Sequence, residues 1–557
     1  MRDHVQKHAL SIMWTVLIVC AAIGCDSSPQ SSSDESTQDA HSPNDRPDML
    51  DVGAPDDQAG LLDQSMRDAD VDMAPLDAEP RPYPEPSQWG PNEGPGGPNT
   101  SFTEEQLYQN CAFVDVGPDD PTNHRNLVTM FDGYLLVPWS PEYGRTGGLT
   151  FFDVSDPCEP VRVGHSSTDL MRETHAVGFS TIGGRWAVTS HARELINGGI
   201  LFWDISEIEE PAVVYAMELP GFFYPDAYAR ISFSNFWQGP YVYVGGADNG
   251  VWIVDATDPT QPVLVNQYSF EPILRAAQVQ AVGNLLVVTS GEGTRTVLLD
   301  ISDPANPQPI PGGDFLNASG DGEPREIYFS TLTGGYIYYA RKDSGGGPLI
   351  WDIRDPTQPR FSGEYVSDGN GGYATVKDGY VFVGESSFAG VYDARDHENV
   401  TEVARLYLEG DLDTATPIGN VVFLSVDDKG NFGEGTAVTP WRESPDAEPP
   451  QVNWAWPADG ATDLATTSRL GLTFNEHIDP LSAWEGSVRL YESDSDPAIT
   501  RVDCYFSVQE SIVNVWPIQP LEPMTTYTLE VPAGGISDFN GNAIAEPFML
   551  QVTTGSR

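Results

Sequence analysis

The chain has 557 residues, 39% of them hydrophobic, and a formal net charge of −54 at pH 7. That length allows two to four domains with sizeable cores. The charge disfavours nucleic acid, whose phosphates need neutralising cations, and disfavours docking of the folded part on anionic lipid; the only lysines are Lys7, Lys342, Lys377 and Lys429.

Arg2 and Lys7 precede an apolar run over 9–24 that is short for a spanning helix and has signal-peptide anatomy. It ends in Ala-Ala-Ile-Gly-Cys, which resembles a bacterial lipoprotein box. The resemblance implies that residues 1–24 are removed and that the Cys25 thiolate carries the lipid. Several acyl chains, at about 0.8 kcal/mol per buried methylene, then hold the protein to a membrane. The expected location is the bacterial cell envelope, at an outer membrane or cell surface rather than an inner membrane. Asp26 resembles an inner-membrane retention signal, which leaves the leaflet open. Residues 25–105 are rich in Ser, Asp, Pro and Gly and too poor in aliphatics to fold, so they read as a disordered tether. Within 26–88 stand 16 acids and three arginines, so the folded part is strongly acidic as well.

Residues 106–447 repeat one pattern. "VWIVDATDPTQP" (251–262) is an apolar run followed by Asp, Asp-Pro and Pro. The run is β-branched and aromatic, which suits a strand buried on both faces. Asp-Pro then forces a turn, and Pro262 suits the start of an edge strand. Copies start at 149, 200, 296 and 349, a weaker one at 390 and a degenerate one at 435. The first Asp recurs at Asp153, Asp204, Asp255, Asp300, Asp352 and Asp393, in steps of 51, 51, 45, 52 and 41 residues. Such a period, with a pair of apolar strands and a Gly-rich turn before each copy, predicts propeller blades. Seven units predict a seven-bladed ring. "CAFVDVG" (111–117) has no blade before it and is expected to complete blade seven and close the ring. The recurrent aspartates are expected to cap turns, since one acid per blade cannot converge on one ion.

These units resemble the LVIVD-repeat family, which carries an aliphatic run followed by D-x-x-D-P-x-x-P. The resemblance spans roughly residues 107–447 and implies a β-propeller on a bacterial surface protein, with no established reaction. Of the cysteines beyond Cys25, Cys111 and Cys158 flank blade one; an exported protein permits a bond between them, although the register places them near neighbouring outer loops at a doubtful distance. Residues 448–557 lose the period. Alternating segments such as "RLGLTF", "IVNVWPI" and "TYTLEVP" predict an antiparallel sandwich. "PADGA", "LTFNEHIDP" and "ISDFNGNAI" resemble the bacterial Ig-like domain of the SbsA type, which implies a spacer or adhesion module. Asp538, Asn540 and Asn542 read as a turn rather than a calcium loop, because the bidentate Glu of an EF-hand is absent. The fold class is thus all-β: signal peptide and tether, seven-bladed propeller, Ig-like sandwich.

Propeller strand order gathers the starts of the innermost strands and the loops between second and third strands at one mouth. His124, Arg125, His175, Arg230, Arg275 and Arg325 occupy the first set; Trp139, Tyr143, Arg145, His191, Arg193, Arg295, Arg341 and Lys342 occupy the second. Positive charge in a low-dielectric cleft focuses the field on anions, and arginine forks suit carboxylate and sulfate. The expected ligand is an anionic glycan or an envelope peptide or protein, unless these arginines only neutralise acids across blades. The expected function is non-catalytic binding or adhesion, with no cofactor and no metal. The alternative is an extracytoplasmic enzyme, hydrolytic or metal-dependent, in which His175 works with His191 or His124. No phosphate loop, Gly-x-Ser-x-Gly or His-Glu-x-x-His supports it.

Overall fold

The computed structural model describes residues 111–556 except 114–122, 125, 142–145, 172, 191–197, 222–231, 343, 408–410, 427–435, 443, 496 and 498. For the strands at 111–113 and 123–124 it describes the backbone alone. These residues lie in one compact unit, Asp70–Arg557. Cys25 and the tether fall outside the described residues, as do Arg125, His191, Arg193 and Arg230 and the side chains of Cys111 and His124.

Blade three shows how the repeat folds. Ser234–Gln238, Tyr241–Gly245, Val251–Asp255 and Val263–Tyr268 pair in chain order as an antiparallel sheet. The "VWIVD" run is the third strand from the axis and forms a hairpin with the outermost. Its four apolar residues are buried because its two faces serve two neighbours. Val251 and Ile253 pack with Leu285 and Val287 of blade four. Trp252 and Val254 pack with Val188, Phe202 and Met217 of blade two. Each such side chain contributes about 1.5–3 kcal/mol on burial, and only a continuous apolar run can fill both interfaces.

The break after each run is a pair of side-chain-capped turns. The first aspartate accepts the backbone N–H two residues on in all six copies, at Ser155, Ser206, Thr257, Ser302, Arg354 and Arg395. The second does the same at Cys158, Thr260, Ala305, Thr357 and Glu398. Local Asx turns of this kind satisfy donors that the ladder cannot reach.

Blade seven is completed from the other end of the propeller. Its sheet runs Leu412–Ile418, Val421–Val426, Thr436–Pro440 and then Cys111–Phe113, with Cys111 opposite Val438. Blade one follows, and Thr416 Oγ1 donates to the Val128 carbonyl across the join. Val128, Met130 and Val137 share a core with Ile418, Val421 and Phe423. The ring is therefore closed, as expected. Cys158 is disulfide-bonded, while Cys504 is a buried free thiol in the sandwich.

The C-terminal part is a sandwich of two four-stranded sheets. One holds Val452–Trp456, Leu470–Phe474, Ile512–Pro517 and Cys504–Gln509 in that order. The other holds Ala461–Leu464, Phe548–Thr554, Thr526–Val531 and Arg489–Glu492. Leu472, Phe474, Val513, Leu529 and Leu550 fill the space between. The first sheet turns its outer face to the propeller. The sequence implies a spacer or adhesion module and is silent on its contact with the propeller; the structure docks it there through that face.

Candidate functional site

The site is the propeller axis, and it has two unlike ends. Turns between first and second strands of every blade form one end, and the sandwich covers all seven. Phe131 of blade one packs with Leu481, and Ile182 of blade two with Tyr505 and Trp516. In blade three, Gln238 Nε2 donates to Asn514 Oδ1 at 2.9 Å. In blade four, the Gly283 N–H donates to the same oxygen at 2.8 Å, and a Cβ on Gly283 would sit 2.4 Å from the Trp456 carbonyl oxygen. Only glycine allows that approach, and its φ of +55° favours glycine too. Blade five offers the Gly334 N–H to Asn453 Oδ1 at 3.0 Å. Blade six donates Asp378 N–H to the Asn475 carbonyl at 2.9 Å. In blade seven Gly419 abuts Asn540.

Beside that last pair of blades lies a buried charge cluster. Lys377, 3% exposed, reaches from blade six into the sandwich, where Nζ is 2.8 Å from Asp446 Oδ2 and pairs with Glu476 Oε2. Burial alone would push this ammonium down, but Glu476 and Asp446 hold it above the ordinary lysine value. One cation cannot balance Asp446, Glu476 and Asp538 together, and burial pushes Glu476 up to about 8 and Asp538 up to about 6. These three carboxylates have the spacing of a metal cage, yet an ammonium already stands among them. Asp538 Oδ1 also accepts the N–H groups of Asn540 and Asn542 at 2.9 and 2.8 Å, which is the turn expected there.

At the centre of this face the hairpin Cys504–Gln509/Ile512–Pro517 enters the channel. Its tip residue Glu510 has a φ of 56°. Gln280 Nε2 donates to Glu510 Oε2 at 2.5 Å, Gln278 Nε2 to Oε1 at 3.3 Å and Thr331 Oγ1 to Oε2 at 3.4 Å. Burial pushes this carboxyl up to about 7. Glu510 as a residue stays part-exposed and lines an axial chamber of about 70 Å³. Thr414, Thr416, Gln278, Gln509 and His477 also line that chamber. Burial, with the Lys377 charge nearby, pushes His477 down to about 4, so its imidazole is neutral near pH 7.

The opposite end holds the described members of the cation set singled out from the sequence, and these do not form one basic surface. His175 is 3% exposed and lies in the channel itself. Its ring stacks on Phe329 at 5.4 Å, Phe329 on Tyr373 at 4.2 Å, and Phe233 meets His175 edge-on at 5.3 Å. Its Nε2 is 3.1 Å from Glu173 Oε1. A packed aromatic layer thus closes the channel above the chamber.

The described arginines each carry a carboxylate. Arg275 Nε is 3.1 Å from Asp248 Oδ1 and its Nη1 is 3.6 Å from Glu292 Oε2. Lys342 Nζ is 3.1 Å from Glu292 Oε1 and 4.0 Å above the Tyr328 ring. Arg295 binds Asp314 through two nitrogens, at 2.7 and 2.6 Å, and Arg341 binds Glu364 at 2.8 Å. Both acids stand on outermost strands, so these two arginines point along their blades. Arg325 pairs with Asp321. Trp139 is buried, donating to Thr150 Oγ1 at 3.0 Å. The expected focusing of positive field therefore does not arise from the described cations. Of that set, Arg275 and Lys342 border the channel, joined through Glu292.

The sequence reading missed the acids Asp248 and Glu292, the ring layer and Glu510. The ring layer has a signal, since Phe233, Phe329 and Tyr373 stand just before or near the start of the innermost strands of blades three, five and six. Glu510 has none; a polar residue at a hairpin tip reads as solvated.

Residues 446–554 match the family model described as a bacterial Ig-like domain, and residues 237–269 match that of the LVIVD repeat. No curated protein matches the sequence. The chain is similar to the solved structure of the periplasmic gluconolactonase PpgL of Pseudomonas aeruginosa, at 14% identity and TM-score 0.41 over 50% of this chain and 83% of that one. It is also similar to the β-propeller domain of Myceliophteria thermophila Cps50 (Swd1), at 13% identity and TM-score 0.40 over 57% of this chain and 96% of that one. A putative 6-phosphogluconolactonase of Bacteroides uniformis is similar at 12% identity and TM-score 0.41, over 50% and 84%. The chain is a seven-bladed β-propeller with an LVIVD repeat, carrying a bacterial Ig-like domain at its C-terminal end.

Proposed function

We propose that the protein is anchored in the cell envelope by lipid on Cys25 and displays its propeller for non-catalytic binding. The observation that carries this reading is the cover over all seven first-to-second-strand turns, which directs any partner to the opposite mouth. The partner is a polar envelope glycan or peptide bearing carboxylate or sulfate groups. Its anionic groups exchange with Glu292 and Asp248 for Arg275 and Lys342, which retain partial exposure there. The enzymatic alternative finds no support in the described residues, because the imidazole it needs, His175, is packed among rings.

Calorimetric titration of sulfated and uronic-acid oligosaccharides and of envelope peptides tests the binding reading. Wild type should bind one of them, and Arg275→Ala should weaken it about tenfold, roughly 1.4 kcal/mol. Equal affinity of the two proteins, or no binding by either, retires this mouth as the site. Membrane partition of wild type against Cys25→Ser tests the anchor.

A further inference from the structure

Glu510 presents an unusual balance. Its hydrogen-bond donors Gln278, Gln280 and Thr331 are all neutral. No described cation pairs with it. An enclosed carboxylate without a counter-charge costs several kcal/mol. Yet it opens on a chamber large enough for several water-sized species. The other titratable groups on that chamber are His175, Tyr373 and His477; His175 is placed against Glu173, a phenol carries no positive charge, and His477 is neutral near pH 7. Oxygen valence is in surplus: Gln278 Oε1 and Gln280 Oε1 are buried without a hydrogen-bond partner, on residues 4% and 1% exposed.

We propose that the axial chamber binds one hard, oxygen-liganded metal cation against Glu510. Gln278, which lines the chamber, would supply a further oxygen, Gln280 would orient the carboxylate, and water would complete the shell. Calcium and sodium both take such ligands, and a rigid all-oxygen site with a single carboxylate suits a weakly held ion. The ion would then fasten sandwich to propeller, because its acid comes from one and its amides from the other.

The test is thermal unfolding of the full-length protein in detergent at pH 8, stripped with chelator, dialysed into choline chloride, then titrated separately with calcium chloride and sodium chloride. One ion should raise the wild-type unfolding temperature saturably by a few degrees, and Glu510→Gln, which keeps the side-chain shape, should not respond. Should Glu510→Gln fail to fold, Gln278→Leu should fold and bind the ion at least tenfold more weakly. An equal response in Glu510→Gln would put the ion elsewhere, for instance among Asp446, Glu476 and Asp538, and overturn the proposal. Stability that ignores both ions and follows pH alone would mean a proton sits on Glu510, and would overturn it as well.

Discussion

Replacing Lys377 by Met removes the single cation from a buried cluster of three acids while keeping most of the apolar stem. Lys377 and Asp446 side chains are 3% and 1% exposed, and Glu476 is 3% exposed, so solvent does not step in. Removing one partner of a buried pair typically costs about 3–5 kcal/mol, because the remaining charge is stranded. The acids can escape by binding protons, so the loss should be largest at alkaline pH and shrink towards pH 5. Urea unfolding of wild type and Lys377→Met, followed by tryptophan fluorescence, reads this directly. Trp454 and Trp516 pack against the propeller turns at Gly335 and Gly239 and report undocking. A loss under about 1 kcal/mol, or one that does not change between pH 5 and pH 8, would refute the argument that the ammonium holds the domains together.

Two further outcomes are expected. Asp479 is buried, with Oδ1 accepting the Leu481 N–H at 3.0 Å, and burial pushes its carboxyl up to about 7 from an ordinary 3.8. The folded protein then holds a proton that the unfolded chain releases, so stability falls as pH rises from about 4 to about 7. His477, pushed down to about 4, works in the opposite direction up to its ordinary 6.5, so the slope is cleanest between pH 6.5 and 7.5. Glu476 and Glu510, raised by burial to about 8 and about 7, add to the same slope, so Asp479→Asn should make it shallower without abolishing it; an unchanged slope in chemical denaturation across this window would count against it. For the disulfide, peptide mapping without reductant should recover Cys158 linked to Cys111, the partner expected from sequence. Cys158→Ala should lose roughly 2–4 kcal/mol, and a Cys158 peptide that maps free or to another cysteine would reject the pairing.

The repeat was legible because one physical demand recurs: a strand buried on both faces, then two capped turns. Asp255 and Asp258 advertise this in their spacing, and so does the orphan strand at Cys111. The sandwich was legible from alternation alone. Its docking was not, because the contacting residues look solvent-facing. Asn453, Asn514 and Gln509 are polar residues on strands and Arg469 directly precedes one, yet Arg469 is 1% exposed and lies 4.4 Å over the Trp516 ring. No pattern within the sandwich says that its outer face meets seven turns of another domain. The mouth was half legible. Strand order assigns Arg275 and Lys342 to one end, but it does not reveal their partners: Asp248, Asp314 and Glu364 are 27, 19 and 23 residues from the arginines they bind. Charge partners at such irregular separations leave no periodic trace.

Closing blade seven with Cys111–Phe113 fixes the order in which a newly made chain can mature. Cys111–Phe113, the first strand among the described residues, has to wait for its neighbour Thr436–Pro440, more than three hundred residues later. Bringing those ends together carries an entropy term of about 5 kcal/mol that no local contact offsets beforehand. Six sheets must line up before the circle can shut, and the sandwich, translated after the propeller, finds its seven-turn seat only after that. A chain interrupted anywhere before the final blade is therefore an open arc with bare edges, held by neither clasp nor lid.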